Sequence, residues 1–332
     1  MIPTLKDVAE RAGVSRSAVS RCFTEGASVS KKMRIKVEKA AAELGYSPNF
    51  LARSLTTRRT KLIGLVVSNF KNPFFLQVFD LFTLGLQERG LRPLLVNLSN
   101  ETDPAHSVQM LRQYSVDGVI VASSTLPQDF AKAFRAAAIP VVHTFGQKSG
   151  SPEVHVVGID NEYCGQMAAQ EFLARGYTNV GFLGGPETAS STRDRWQGFA
   201  TELRKHTNVR ASCTYAKAYS FPAGREAMTK LLAEKPAQAY FCADDVISLG
   251  ALSAMRDAGL RVPQDIGVLG LNDMEIAGWE SVNLTTIHQP VEDIVNSSIE
   301  LIESLLANPD RRPEARTFAC RIVERGTLRP RT

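Results

Sequence analysis

Arg16, Ser17 and Arg21 lie close together in the chain, and at helical spacing their side chains share one outward face. Arginine donates in pairs to guanine edges and serine hydroxyls suit several bases, so the chemistry this face offers is direct reading of duplex DNA. A second set of residues carries different chemistry. Phe74, Phe145 and Tyr219 can stack on a ring, while Arg193, Arg195, Asp244 and Asn272 can hydrogen-bond hydroxyl or carboxylate groups. These are binding groups, and no reaction centre accompanies them. Ser28-Val-Ser-Lys31 matches a Ser-x-x-Lys nucleophile pattern, but it has no Lys-Thr-Gly partner, and Ser30 is placed to cap a helix. Gly184-Gly-Pro186 lacks the lysine of a phosphate loop, and no Gly-x-Ser-x-Gly or zinc-helix motif occurs. The histidines are isolated in the sequence, and Cys22, Cys164, Cys213, Cys242 and Cys320 have no metal-ligand spacing, so they read as free thiols. We expect no catalytic residue, no metal and no cofactor: a binding protein and not an enzyme.

The DNA-reading face needs a scaffold, and the flanking residues supply one. Thr4 can cap a first helix, with Asp7 three positions on complementing the same helix end; that helix runs to about Ala12. Gly13 provides the positive φ of a tight turn, Val14 drops into a small core, and Ser15 caps the helix carrying Arg16 to Arg21. A third helix, capped near Ser30 and stopped by Gly45, presents Ile35, Val37, Ala40, Ala41 and Leu44 at helical spacing and completes the core. Together these make a helix-turn-helix. After the turn Tyr46-Ser-Pro-Asn49 comes a short segment to Leu55, too short to hold a helix alone in water. Leu55, flanked by cations, suits either a minor-groove wedge or a leucine buried in a structured linker.

From Leu62 the pattern changes to buried apolar strands alternating with helices. Leu62–Val67, Leu94–Val96, Gly118–Val121 and Pro140–Val142 form one series, and Val180–Gly184, Ala239–Cys242 and Ile266–Gly270 a second. Two doubly wound α/β lobes are implied by that alternation. In such sheets ligands gather at the carboxyl ends of strands, so residues 68–75, 184–195, 243–245 and 271–273 should line one cleft.

Charge divides the chain in the same place. Residues 1–61 carry a net +8 and the remainder −3, so the basic excess sits where a polyanion would be touched. At 332 residues and 44% apolar content the chain can fill more than one core. No apolar run is long enough to span a bilayer and the start has no signal core, which points to a cytoplasmic protein without a membrane partner.

The order of these features resembles the lactose-repressor (LacI/GalR) family across essentially the whole chain. The resemblance rests on residues 4–21, Leu44-Gly-Tyr-Ser-Pro-Asn-Phe-Leu-Ala-Arg-Ser-Leu55, Asn72-Pro-Phe-Phe75, Val116-Asp-Gly118, Arg193-Asp-Arg-Trp-Gln-Gly-Phe199, Ala243-Asp-Asp245 and Leu284-Thr-Thr-Ile-His-Gln-Pro290. It implies a small all-α helix-turn-helix headpiece plus hinge helix, followed by two α/β doubly wound lobes resembling type I periplasmic sugar-binding proteins. The implied divisions are a headpiece over 1–48, a hinge over 49–60 and an effector-binding and dimerisation domain over 61–332. Within the last, one lobe takes 61–159 plus 290–319 and the other 160–289 plus 320–332. Implied partners are double-stranded operator DNA, a small-molecule effector and a second copy of the chain.

Residue by residue, the resemblance assigns DNA contacts to Thr4, Ser15, Arg16, Ser17, Ser20, Arg21, Asn49, Ala52, Arg53, Leu55, Arg58 and Arg59, with Leu55 as an intercalating wedge. It assigns effector contacts to Ser68, Phe74, Phe145, Arg193, Arg195, Tyr219, Asp244, Asn272 and Gln289. Two positions depart from the family pattern. Phe145 and Asn272 both stand where known members often place an aspartate, which favours stacking over hydroxyl chelation. The expected function is a transcriptional repressor of carbohydrate genes released by a sugar, glycoside or disaccharide. The alternatives are a purine-type corepressor-dependent repressor and, lastly, a sugar-binding protein without a regulatory role.

Overall fold

The computed structural model describes residues 3–24, 26–47, 59–98 and 103–331. The chain divides into two compact units, Met1–Thr60 and Lys61–Thr332. Asn49, Ala52, Arg53, Leu55 and Arg58, and with them the expected hinge helix and wedge, lie outside the described residues.

The first unit holds α1 (Leu5–Ala12), α2 (Arg16–Cys22) and α3 (Lys31–Leu44). Its core is made of small and branched side chains: Val8, Ala9, Ala12, Val19, Cys22, Val37, Ala40 and Ala41. Local chemistry sets each boundary. The Asp7 carboxylate accepts from both the backbone N–H and the hydroxyl of Thr4, each at 2.7 Å. Ser15 Oγ accepts from Ala18 N at 3.2 Å and Ser30 Oγ from Met33 N at 3.3 Å, satisfying helix-start donors that would otherwise be orphaned. Gly13 at φ 55° and Gly45 at φ 64° end α1 and α3 in the left-handed region. Arg11 ties α1 to α3 through Glu43 at 2.7 Å, and Arg34 ties α3 to α2 through the Cys22 carbonyl at 2.7 Å. One expectation fails here. Ile35 is 57% exposed and not in the core, because two positions before Val37 amounts to about 200° around a helix.

The second unit carries two sheets. The first joins β1 (Leu62–Val67), β2 (Arg92–Asn97), β3 (Gly118–Ala122), β4 (Val141–Thr144), β5 (His155–Ile159) and β11 (Ala315–Phe318) in the order β11-β5-β4-β3-β1-β2, all parallel. The second joins β6 (Asn179–Gly184), β7 (Arg210–Tyr215), β8 (Ala239–Cys242), β9 (Gly267–Asn272), β10 (Thr286–His288) and β12 (Arg321–Val323) in the order β12-β10-β9-β8-β6-β7, with β12 antiparallel. Five of these strands, β5, β7, β10, β11 and β12, do not show as apolar runs. β7, β11 and β12 are partly exposed edges, β10 is three residues long, and β5 opens on a histidine and contains a glycine.

Between the strands run α4 (Phe74–Glu88), α5 (Pro104–Gln113) and α6 (Gln128–Ala136) in the first lobe, and α7 (Asn161–Leu173), α8 (Ser190–Leu203), α9 (Phe221–Ala233) and α10 (Asp245–Asp257) in the second. A last helix, α11 (Val291–Ala307), returns to the first sheet and buries Ile294, Val295, Ile299 and Ile302 there. The chain thus passes between sheets three times, after β5, after β10 and between β11 and β12. No helix among the described residues is long and apolar enough to cross a membrane.

One helix pair sets the position of a key side chain. α7 and α8 cross with their backbones in close approach: a Cβ on Gly165 would strike the Arg195 carbonyl, and one on Gly198 the Glu162 carbonyl. Backbone atoms cannot swing away, so Gly198→Ala should lower the melting temperature, with a cost of about 1–3 kcal/mol or more. Gly150→Ala, which meets nothing, is the control. Thermal melts giving equal stability for the two variants would contradict this account of the crossing.

Candidate nucleic-acid interface and effector cleft

On the first unit, Arg16, Ser17, Ser20 and Arg21 are all exposed on α2. Ala18, Val19 and Cys22 face the opposite way into the core, which fixes the roll of the helix and aims the arginines outward. Ser17 Oγ is hydrogen-bonded to Ser15 Oγ at 2.9 Å, so Ser15 is engaged in holding the helix start. Thr4 is likewise engaged with Asp7, whose carboxyl is held below its usual range by those hydrogen bonds. Among the described residues the side chains of Arg16 and Arg21 make no hydrogen bond or ion pair, and both guanidinium groups face solvent.

In the second unit a small cavity of about 20 Å³ lies between the lobes. Its walls come from the carboxyl ends of strands in both sheets: Ser124 after β3, Phe145 after β4, Ile159 ending β5, Asp244 after β8, Asn272 ending β9 and Gln289 after β10. Phe74 and Phe75 at the start of α4, Asn161 at the start of α7 and Arg195 on α8 complete it. The phenylalanines pack edge to face, Phe74 against Phe145 at 5.5 Å and Phe75 against Phe145 at 6.2 Å between ring centroids. Phe145 at φ 63° and Asn272 at φ 131° hold backbone conformations that side chains rarely adopt, a strain retained at the cavity wall.

Facing the rings is a buried polar belt. Gln289 Nε2 donates to Asn272 Oδ1 at 2.6 Å, and Asn272 Nδ2 donates to Asp244 Oδ2 at 3.0 Å. Asn72 from the first lobe donates to the same oxygen at 2.9 Å, while Oδ1 accepts from Val246 N at 2.8 Å. Gln289 Oε1 ends this belt buried and, among the described residues, without a partner. Arg195 is held by Asn161 Oδ1 at 2.8 Å and the Ala243 carbonyl at 2.6 Å, a buried guanidinium whose plane is fixed from two sides. Burial pushes the Asp244 carboxyl up to about 6. Beneath it, burial pushes Asp245 up to about 7, although Thr286 Oγ1 at 2.6 Å and Met274 N at 2.9 Å donate to its oxygens.

Three residues assigned from sequence do not line this cavity. Ser68 is tied to Ser123 and Thr125 at 2.7 and 2.8 Å. Tyr219 is buried with its hydroxyl against Thr192 at 2.7 Å. Arg193 is exposed, donating to the Thr188 carbonyl at 2.8 Å; it lies two positions from Arg195, on another face of α8. Phe75, Ser124, Ile159 and Asn161, absent from the assigned residues, do line it, and of these Phe75 falls within the 68–75 loop expected at the cleft. Asn161 and Ile159 depend on β5, whose apolar residues Val156, Val157 and Ile159 are interrupted by Gly158 and preceded by His155; Ser124 comes just after a recognisable strand and was within reach of the carboxyl-end rule.

Comparison with known proteins matches this two-part organisation. Residues 4–49 match the family described as bacterial regulatory proteins, lacI family, and residues 169–328 match the periplasmic binding protein-like domain. The HTH-type transcriptional repressor PurR of Proteus mirabilis is 34% identical over 334 residues, spanning 98% of this chain and 96% of the relative. The chain belongs to the lacI family of bacterial regulatory proteins. A second relative, PurR of Pectobacterium carotovorum, is 32% identical over 90% of this chain and 89% of its own. Among solved structures, the lac repressor dimer bound to operator and the anti-inducer ONPF superposes with a TM-score of 0.88 at 27% identity, covering 99% of this chain and 100% of that one. The transcriptional regulator CelR–cellobiose complex gives 0.73 at 29% identity, covering 98% and 99%. This lacI-family chain is a DNA-binding transcriptional repressor, and its family is one of regulators, not enzymes.

The buried carboxyls carry a pH signature. The folded state keeps protons on Asp244 and Asp245 that an unfolded chain, at 3.8, has released, so their contribution to stability is complete below about pH 4 and is lost as pH rises through 6 to 7. Asp245→Asn should flatten the fall in melting temperature between about pH 5 and pH 8, a difference of roughly 2–4 kcal/mol. Parallel melting curves for the two proteins across that range would refute the assignment.

Proposed function

We propose that the protein represses transcription as a homodimer on a palindromic operator in the cytoplasm, and that a small, neutral, polyhydroxylated molecule, a sugar or glycoside, enters the interlobe cleft and releases it. In this reading residues 1–48 are the headpiece, 49–60 the hinge, and 61–332 the effector-binding and dimerisation domain with lobes divided near 159/160, 289/290 and 319/320. Arg16, Ser17, Ser20 and Arg21 read base edges. Thr4, Ser15 and the hinge residues Asn49, Ala52, Arg53, Arg58 and Arg59 position the backbone, and Leu55 wedges the minor groove.

The observation that carries the ligand class is the belt opposite the rings. Among the described residues Gln289 Oε1 is a buried acceptor without a donor, and Arg195, which lines the same cavity, is a donor group. Hydroxyl groups both donate and accept and so suit the two, whereas an anion serves only Arg195 and meets the Asp244 carboxylate. Phe74, Phe75 and Phe145 offer apolar surface for the C–H face of a pyranose. The cellobiose-bound relative supports the same class. A cavity this small holds roughly one water, so a ring enters only as the lobes part. The aromatic edges also suit a flat heteroaromatic base, and a purine-type ligand would favour the corepressor reading.

A thermal-shift screen of mono- and disaccharides against hypoxanthine, guanine and adenine separates the two. The hits then go to binding assays on a palindromic fragment selected from random DNA. A saccharide that stabilises the protein and weakens DNA binding is the expected result, and Arg195→Ala should abolish its thermal shift while preserving operator binding. Stabilisation by purines alone, with tighter DNA binding, would replace this reading with the second. On the DNA side, Arg21→Ala should cost about 1–3 kcal/mol on the selected sequence and far less on random duplex. Equal losses on both would assign Arg21 to the phosphate backbone.

A further inference from the structure

Two of the three passages between the sheets leave the first sheet side by side. β5 and β11 pair in parallel up to Ile159 opposite Phe318, after which one passage enters α7 and the other runs through Ala319 and Cys320 into β12. Cys164 lies one helical turn into α7, with its N–H on the Asp160 carbonyl at 3.0 Å. The two cysteines meet in the hydrophobic core: Cys164 is 1% exposed there, and half-buried Cys320 packs against that core from its passage. The Cys164 thiol donates a hydrogen bond to the Cys320 sulfur. Cys213 and Cys242 face Tyr215 and Ser248 instead.

That contact gives the two sulfurs different characters. The hydrogen bond from Cys164 holds Cys320 below the usual thiol range, outweighing its burial, and the Arg195 guanidinium pulls the same way against the Asp160 carboxylate. Cys164, as the donor, is held well above that range, and burial adds to the rise. A partly accessible thiol that ionises readily, beside a buried one that does not, is the arrangement of an attacking cysteine with its resolving partner. The pair also adjoins the cleft machinery. Gly165, next to Cys164, packs on the Arg195 backbone, and Asn161 one turn earlier holds Arg195 Nε at 2.8 Å.

We propose that Cys164 and Cys320 are a site of reversible oxidation by hydroperoxides, forming a disulfide that pins two of the interlobe passages to each other. The Cys320 thiolate attacks one peroxide oxygen, the O–O bond breaks, and the departing hydroxide takes the proton that Cys320 released and leaves as water. Cys320 is then a sulfenic acid. The Cys164 sulfur attacks the Cys320 sulfur, the S–S bond forms as the S–O bond breaks, and the second hydroxide leaves as water with the Cys164 proton. Both thiols are oxidised, the peroxide is reduced to water, and a small thiol reductant restores the pair by exchange. Motion of one lobe against the other is absorbed in the segments that join them, so pinning two passages together stiffens the cleft. The proposal stands whether the cleft takes a sugar or a purine.

The test is treatment of the full chain with stoichiometric hydrogen peroxide, followed by peptide mass mapping and amide hydrogen exchange. A peptide linking Cys164 to Cys320 should appear while Cys22, Cys213 and Cys242 are recovered as thiols, and dithiothreitol should reverse it. Exchange over residues 159–165 and 318–322 should slow by about tenfold in the oxidised protein. Cys164→Ser should stop Cys320 at the sulfenic acid, trapped there by dimedone, whereas Cys320→Ser should leave Cys164 unlabelled. The proposal is overturned if no linked peptide forms in the natural protein, if the other cysteines oxidise as fast, if dimedone labels Cys164 and not Cys320, or if exchange in the two passages is unchanged by the cross-link.

Discussion

The hydrogen bond from Asn72 to the buried Asp244 carboxylate, at 2.9 Å, is the constraint on which the second unit turns. It joins the lobes at their most buried polar point, and it places one partner in the Asn-Pro-Phe-Phe turn that starts α4 and the other at the N-cap of α10. A carboxylate so buried is costly unless its oxygens are met. Asn72, Asn272 and Val246 meet them, and only with the lobes together does Asn72 reach. Closure of the cleft and satisfaction of Asp244 are thus the same event, and any ligand that parts the lobes must replace what Asn72 supplied.

The rest of the cleft is built to keep its groups from relaxing around that bond. Arg195 cannot drift, because Gly165 and Gly198 let two helix backbones touch and Asn161, at the start of the neighbouring helix, holds its Nε. Phe145 and Asn272 sit in left-handed or otherwise sparse backbone regions, so both walls are fixed in conformations their own residues disfavour. Preorganisation of this kind reduces the ordering cost of binding and leaves rigid-body motion of the lobes as the soft coordinate.

How much of this was legible in the sequence depends on the range of the interactions involved. Caps and turns act over three or four residues, so the limits of the three headpiece helices could be read from Thr4, Gly13, Ser15, Ser30 and Gly45. Strands with an unbroken apolar stretch announce themselves, and seven were visible, the edge strand β2 among them through Leu94–Val96; β5, the three-residue β10 and the edge strands β7, β11 and β12 were not. The cleft was legible at strand ends as a rule of topology, which brings Phe145, Asp244 and Asn272 together. It was less so on α8, where Arg193 and Arg195 differ by two positions and only the packing of α7 decides which guanidinium is inside.

Whether a ligand can work such a latch is a question of magnitudes. Besides Asn72 to Asp244, the cross-lobe bonds among the described residues include Asn69 to the Tyr219 carbonyl at 3.2 Å, Ser191 to the Ser124 carbonyl at 3.1 Å and Gln147 to Asp194 at 3.0 Å. Neutral bonds of this type contribute about 0.5–1.5 kcal/mol each and those to carboxylates about 1.5–3. Their sum is of the same order as the roughly 5.5 kcal/mol needed to move a two-state equilibrium from 1:99 to 99:1. A network much stronger would lock the lobes against any small molecule, and one much weaker would leave nothing for a ligand to change. Cross-lobe hydrogen bonds of this modest total put the interlobe equilibrium within reach of the differential affinity of one small molecule.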